Sequence, residues 1–129
     1  MIRFAWALLA AGLLAPLAAA QSAGEVFQDV QGRWQSEDAG GIARYFDRQV
    51  YIGVGRFREN AGREKASGIL RDYFGSVQVR QVSIPPGGMG PDTCVFEQVV
   101  ADERGERRSR FYVSLVNTGQ GLRITSIRE

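Results

Sequence analysis

The chain has 129 residues, with 16 Lys and Arg against 14 Asp and Glu for a formal net charge of +2, and 44% of it is hydrophobic. It carries no histidine and a single cysteine, Cys94. That composition excludes a Ser-His-Asp or Cys-His nucleophile system, a histidine-bearing zinc site and an internal disulfide, and neither a cofactor nor a metal site is expected.

The opening "MIRFAWALLAAGLLAPLAAA" reads as a secretory signal sequence. Arg3 supplies a positive start, Phe4 to Leu14 an apolar stretch, and Ala18-Ala19-Ala20 a small-x-small cleavage site. Cleavage after Ala20 leaves one domain, residues 21–129, with 15 basic and 14 acidic side chains and a net charge of +1. No later stretch is apolar enough to span a bilayer, so a periplasmic or secreted protein is expected.

In "GEVFQDVQGRWQ", Val26, Phe27, Val30 and Trp34 fall on one helical face, which Gly32 weakens. The same segment holds "QDVQG", Gln28 to Gly32, which matches the Q-x-V-x-G string of cystatin-type protease inhibitors. Inhibitors present that string on a hairpin, whereas here it falls in a helical pattern. "SEDAGG" follows, where Ser36 or Asp38 can cap a short helix with Ile42, Tyr45 and Phe46 on one face. "QVYIGVG" then has the period of a strand. "RFRENAG" is a polar connection with room for a short edge strand around Phe57.

The clearest helix is "REKASGILRDYF", with Ala66, Ile69, Leu70, Tyr73 and Phe74 on one face and Gly75 placed to end it. From there the period is two. "SVQVRQVSI" switches apolar parity between Val79 and Val82, which indicates a bulge. Pro85 to Asp92 is a loop, "TCVFEQVVA" a strand, "DERG" a hairpin turn, "RRSRFYVSLV" a strand with Phe111, Val113 and Leu115 on one face, and "LRITSIRE" the closing strand. The pattern predicts an α+β domain, with helices covering one face of an antiparallel sheet of four to five strands. Cys94 reads as a small buried hydrophobe.

Three stretches, "DAGGIARYFDRQVYIGVG", "REKASGILRDYFGSVQVRQVSI" and "RSRFYVSLVNTGQGLRITSIRE", resemble a small bacterial domain family of unknown function within the nuclear-transport-factor-two-like superfamily. The resemblance covers roughly residues 24–129. It implies a cone: helices packed across a strongly curved antiparallel sheet, around a cavity that in this superfamily binds small apolar ligands, hosts an acid/base site or forms the interior of a dimer. Enzymatic members often use a histidine inside the cone, and this chain has none.

The doublets Tyr45-Phe46 and Tyr73-Phe74 are not an internal repeat, because the same shift pairs Asp47 with Gly75 and Val50 with Gln78. They read as core aromatics whose hydroxyls need partners. The candidates for lining a cavity are Tyr45, Phe46, Tyr51, Tyr73, Phe74 and Phe96. Arg108, Arg110 and Tyr112 form the polar stripe of their strand, the candidate surface for a homodimer or another protein partner. "RGERRSR" is a basic cluster, read as a solvated hairpin rather than a nucleic-acid site. The leading function is a non-catalytic module of the cell envelope, binding a small apolar ligand or assembling through its sheet face. The alternative is a His-free isomerase or dehydratase with Asp47 as base and Tyr51, Tyr112 or Arg110 as donor, although Asp47 reads more simply as a turn or cap residue.

Overall fold

The structure, a computed structural model, describes residues 21–129; the signal sequence expected over residues 1–20 lies outside them. Helix α1 (Ala23–Gln35) begins where the Ser22 hydroxyl accepts the Glu25 backbone N–H at 3.2 Å. Its predicted face, Val26, Phe27, Val30 and Trp34, is buried. Gln28 to Gly32 lie inside this helix, so the string is not displayed on a hairpin and the protease-inhibitor reading is discarded.

Helix α2 (Ala39–Ala43) is capped by Asp38, whose carboxylate accepts the Gly41 N–H at 2.9 Å. A Cβ on Gly41 would stand 2.2 Å from Arg33 Nη1 and 2.3 Å from Asp38 Oδ2, so only glycine fits beneath this capped ion pair. The expected continuation of the helix through Tyr45 and Phe46 is corrected here. Phe46 already opens strand β1 (Phe46–Val54), and the Tyr45 carbonyl accepts the Ile124 N–H at 2.7 Å. Three apolar residues at helical spacing are too few to tell a single helical turn from one that runs into a strand.

After strand β2 (Phe57–Gly62), helix α3 (Arg63–Ser76) buries all five residues of its predicted face. Then come β3 (Gln78–Ser83), β4 (Thr93–Asp102), β5 (Gly105–Thr118) and β6 (Gly121–Arg128). The sheet has six strands in the order β2-β1-β6-β5-β4-β3, not four to five. The additional strand is "RFRENAG", which pairs with β1 from Gln49↔Gly62 to Val54↔Phe57 and forms an edge. Its polar outward residues are what an edge strand carries.

The sheet is not wholly antiparallel either: β1 and β6 are parallel, with Phe46 opposite Ile124 and Ile52 opposite Ile127. The chain places its first hairpin at one edge, crosses to the other edge through α3, and returns strand by strand until the last meets the first. The bulge expected between Val79 and Val82 is present as a register shift between Val79 and Gln81. Further shifts interrupt the β1–β6 and β5–β6 ladders, and such interruptions bend a sheet. All three helices lie on one face, α1 against β3 and α3 against β1 and β2. Cys94 points into the core beneath them, where burial pushes its thiol up to about 11, so it stays protonated and inert.

Candidate functional site

Strand β4 sends Cys94, Phe96, Gln98 and Val100 inward. Three of these are apolar; Gln98 is not, yet it is only 2% exposed. A buried amide must be met by hydrogen bonds, and three elements supply them. Trp34 Nε1 on α1 donates to Gln98 Oε1 at 2.9 Å. Gln98 Nε2 donates to the Tyr73 hydroxyl on α3 at 2.9 Å and to the Ser109 hydroxyl on β5 at 3.1 Å. Because an indole N–H can only donate, the amide oxygen must face Trp34, which orients the whole network.

Around that polar centre the interior is closed by rings. Trp34 stacks on Phe111 with centroids 4.0 Å apart, Phe111 stacks on Phe96 at 4.9 Å, and Phe74 meets Trp34 edge-on at 5.0 Å. Of the six residues expected to line a cavity, Phe46, Phe74 and Phe96 are therefore core filling. Tyr51 is half-buried on the row of β1 opposite to the buried Val50 and Ile52, its ring beside Gly53. Only Tyr73 lines open space.

Tyr45 works elsewhere. Its hydroxyl donates to the Asp29 carboxylate, which Arg33 Nε also engages at 3.0 Å, while Arg33 Nη1 reaches Asp38 at 2.8 Å. The Tyr45 hydrogen bond and the Arg33 guanidinium hold the Asp29 carboxyl below its usual range, while burial and that same bond push the Tyr45 phenol up. A carboxylate depressed in the fold adds stability above its ordinary value of 3.8, and that stability is lost as pH falls through the lower folded value. Urea midpoints measured across acid pH are expected to stay level down to about pH 5 and then fall, more shallowly in Asp29→Asn.

Two depressions in the surface of the described residues stand near these groups. The first, about 880 Å³, lies beside the C-terminal end of α3. It is bounded by the β1–β2 turn (Gly55, Arg56, Phe57), the end of α3 (Asp72 to Val77), the β4–β5 turn (Asp102 to Arg104, with Arg107) and Glu129. Tyr73 reaches it from the core, and burial raises its phenol so that the hydroxyl keeps its proton. The second, about 440 Å³, is a groove over β3, β4 and β5 lined by Gln81, Ser83, Glu97, Val99, Arg108 and Arg110 among others. There Arg110 Nε stands 3.7 Å from Glu97 Oε2. Tyr112 and Val116 continue the same outward row of β5, 38% and 45% exposed. The basic cluster from Arg104 to Arg110 is thus divided: Arg107 pairs with Asp102 and Arg110 with Glu97, a hairpin rather than one cationic surface.

Asp47 is half-buried near the start of β1, lines neither depression and makes no side-chain hydrogen bond among the described residues. Strand β6 separates it from β5, which carries Arg110 and Tyr112. Arg110 and Tyr112 are therefore not assembled with Asp47 into one site, and Tyr51, on the same strand as Asp47, makes no hydrogen bond to it. No sequence pattern marked the first depression, because its lining comes from two turns, a helix end and Glu129. Gln98 did leave a signal, a lone polar residue at an inward position of an alternating strand.

Among the described residues no three His, Cys, Asp or Glu side chains gather as metal ligands, and no helix is long and apolar enough to cross a membrane. No protein-family model and no curated protein sequence matches the chain. Solved structures do. A DUF4783 family protein from Bacteroides fragilis YCH46 is 19% identical with a TM-score of 0.58, over 78% of this chain and 92% of its own. The protein Rd1NTF2_04 with long sheet is 20% identical with a TM-score of 0.58, over 83% and 98%. A protein described as a candidate ketosteroid isomerase from Shewanella frigidimarina NCIMB 400 is 12% identical with a TM-score of 0.55, over 85% and 95%. At such identities the likeness is one of fold, and the fold is nuclear-transport-factor-two-like, as the resemblance implied.

Proposed function

We propose that this nuclear-transport-factor-two-like domain is exported to the cell envelope and works there as a non-catalytic assembly module, pairing with a second copy of itself through the uncovered face of its sheet. The observation that carries the reading is the outward row of β5, where Arg108, Arg110, Tyr112 and Val116 stand exposed with no element of the chain over them. Exposed Tyr and Arg are residue types enriched at interfaces. Six strands about 4.8 Å apart give a face roughly 25 Å wide, enough for the about 800 Å² per partner that a stable complex buries. Arg110 and Glu97 sit side by side on this face, so a two-fold contact can set the Arg of each copy against the Glu of the other.

On this reading the helices and curved sheet form a cone whose interior the chain fills with its own rings. A small apolar ligand would have to displace the Trp34 indole from between Phe111 and Phe74. Acid/base chemistry is left without a base in a closed pocket. The role therefore falls to the outer surface.

Native mass spectrometry on the exported protein tests both parts. The expected species is a dimer of chains that begin at Gln21. Arg110→Glu is expected to weaken the dimer about tenfold or more by opposing Glu97 across the interface, with an unchanged circular dichroism spectrum. A wild-type protein that stays monomeric at about 100 µM overturns the assembly role, and a chain that keeps residues 1–20 overturns processing.

A further inference from the structure

Strand β3 ends the sheet, and its own composition does little to discourage a further strand. Val77, Val79, Val82 and Ile84 are β-branched, Arg80 is the single charge from Val77 to Ile84, and no proline interrupts the run. The opposite edge, β2, carries Arg58 and Glu59 and is flanked by Arg56 and Arg63. At β3 the protection comes from outside the strand. Gln35 Nε2 donates to the Arg80 carbonyl at 3.1 Å, and Gln35 Oε1 accepts the Val82 N–H at 2.9 Å. These two groups flank Gln81, and one residue of a neighbouring parallel strand would take the same pair, so a side-chain amide stands where a seventh strand would begin. Gln31 Nε2, one turn earlier on α1, donates to the Val82 carbonyl at 3.1 Å, and Glu37 Oε2 accepts the Val79 N–H at 2.8 Å.

Independent support comes from the backbone at Glu37. Just past α1, the Glu37 N–H bonds the Trp34 carbonyl and the Asp38 N–H bonds the Arg33 carbonyl, a helix closure that usually has glycine where Glu37 stands. Glu37 has a φ of 57°, the only positive value at a non-glycine residue among those described. The conformation favours glycine, yet the position carries a carboxylate that reaches the strand edge.

We propose that Gln31, Gln35 and Glu37 hold the β3 edge closed against β3 of a second copy, so that chains do not join edge to edge. The excluded contact is self-complementary, because two β3 strands related by a two-fold axis present the same free groups to each other. It is independent of the sheet-face contact and multiplies whatever species that contact leaves.

Combining Gln31→Ala, Gln35→Ala and Glu37→Gly bares the edge, keeps good helix formers in α1 and eases the backbone at residue 37. The probe is a fluorescein-labelled peptide of residues 77–84, followed by anisotropy. Wild type is expected not to bind it up to about 1 mM, and the triple variant to bind at about 100 µM or tighter. Native mass spectrometry at about 100 µM should show the variant at about twice the wild-type mass or more, with the near-UV circular dichroism of Trp34 retained. Val26→Ala loosens α1 from its buried face without touching the edge, and should behave as wild type in both measurements.

Peptide binding equally to wild type and triple variant, or to neither, overturns the proposal. Association of Val26→Ala to the same extent also overturns it, by tracing the effect to a loosened helix. If the triple variant fails to fold, Gln35→Ala alone carries the test, since that one side chain makes both bonds flanking Gln81.

Discussion

Replacing Trp34 with alanine is expected to lower the unfolding free energy by about 4 kcal/mol and the thermal midpoint by about 15 °C or more. The indole is fully buried and touches three other rings, Tyr73, Phe74 and Phe111, from three sides. Its removal opens a cavity that rigid aromatic neighbours cannot collapse into, which places the cost at the high end for large-to-small changes. It also strips Gln98 Oε1 of its only donor. Trp34→Phe separates the two effects: it retains most of the ring volume and should recover more than half of the loss. Chemical denaturation of the three proteins checks this, and equal midpoints for Trp34→Ala and wild type would mean that the helix does not hold the interior closed.

Gln98→Leu is the second large effect, and the less intuitive one. The substitution keeps the volume close and adds apolar surface at a buried position, yet it should cost about 2–3 kcal/mol. The buried Trp34 N–H loses its acceptor and the Tyr73 and Ser109 hydroxyls lose their donor, and an orphaned buried polar group costs about 1–3 kcal/mol. Removing a second member should then cost less than it does alone. Gln98→Leu combined with Trp34→Phe is expected to be more stable than the sum of the two losses by about 1 kcal/mol, since no indole N–H remains to be orphaned. Strict additivity in that cycle would show that the three groups are neighbours rather than a network.

Much of this fold was legible because its helices announce their inner faces. Val26, Phe27, Val30 and Trp34 in α1, and Ala66 through Phe74 in α3, are the residues that periodicity selected, and they are buried. The parity switch at Val79 and Val82 located a bulge, since two inward residues three apart cannot share a regular strand. The misses have equally physical causes. Phe46 lay at helical spacing from Ile42, but a five-residue helix is too short for its period to be distinguished from the start of a strand. The parallel pairing of β1 with β6 joins residues more than seventy positions apart, and local pattern carries no information about it. Which aromatics fill the interior and which face outward depends on how the sheet curves around α1. Tyr45 could therefore be recognised as a ring in need of a partner, but not as one that turns away from the core toward Asp29.

The parallel junction also governs when the molecule can exist as a unit. The β2–β1 hairpin touches the rest of the sheet only through β6, and β6 ends at Arg128. As the polypeptide emerges from the ribosome, its first hairpin can pack on α3 but cannot join the rest of the sheet until β6 has been made, so the sheet closes late. Non-local closure of this kind is slow, because loop entropy is lost before any contact compensates. A chain built this way leaves one ladder, between β1 and β6, to join its two halves last.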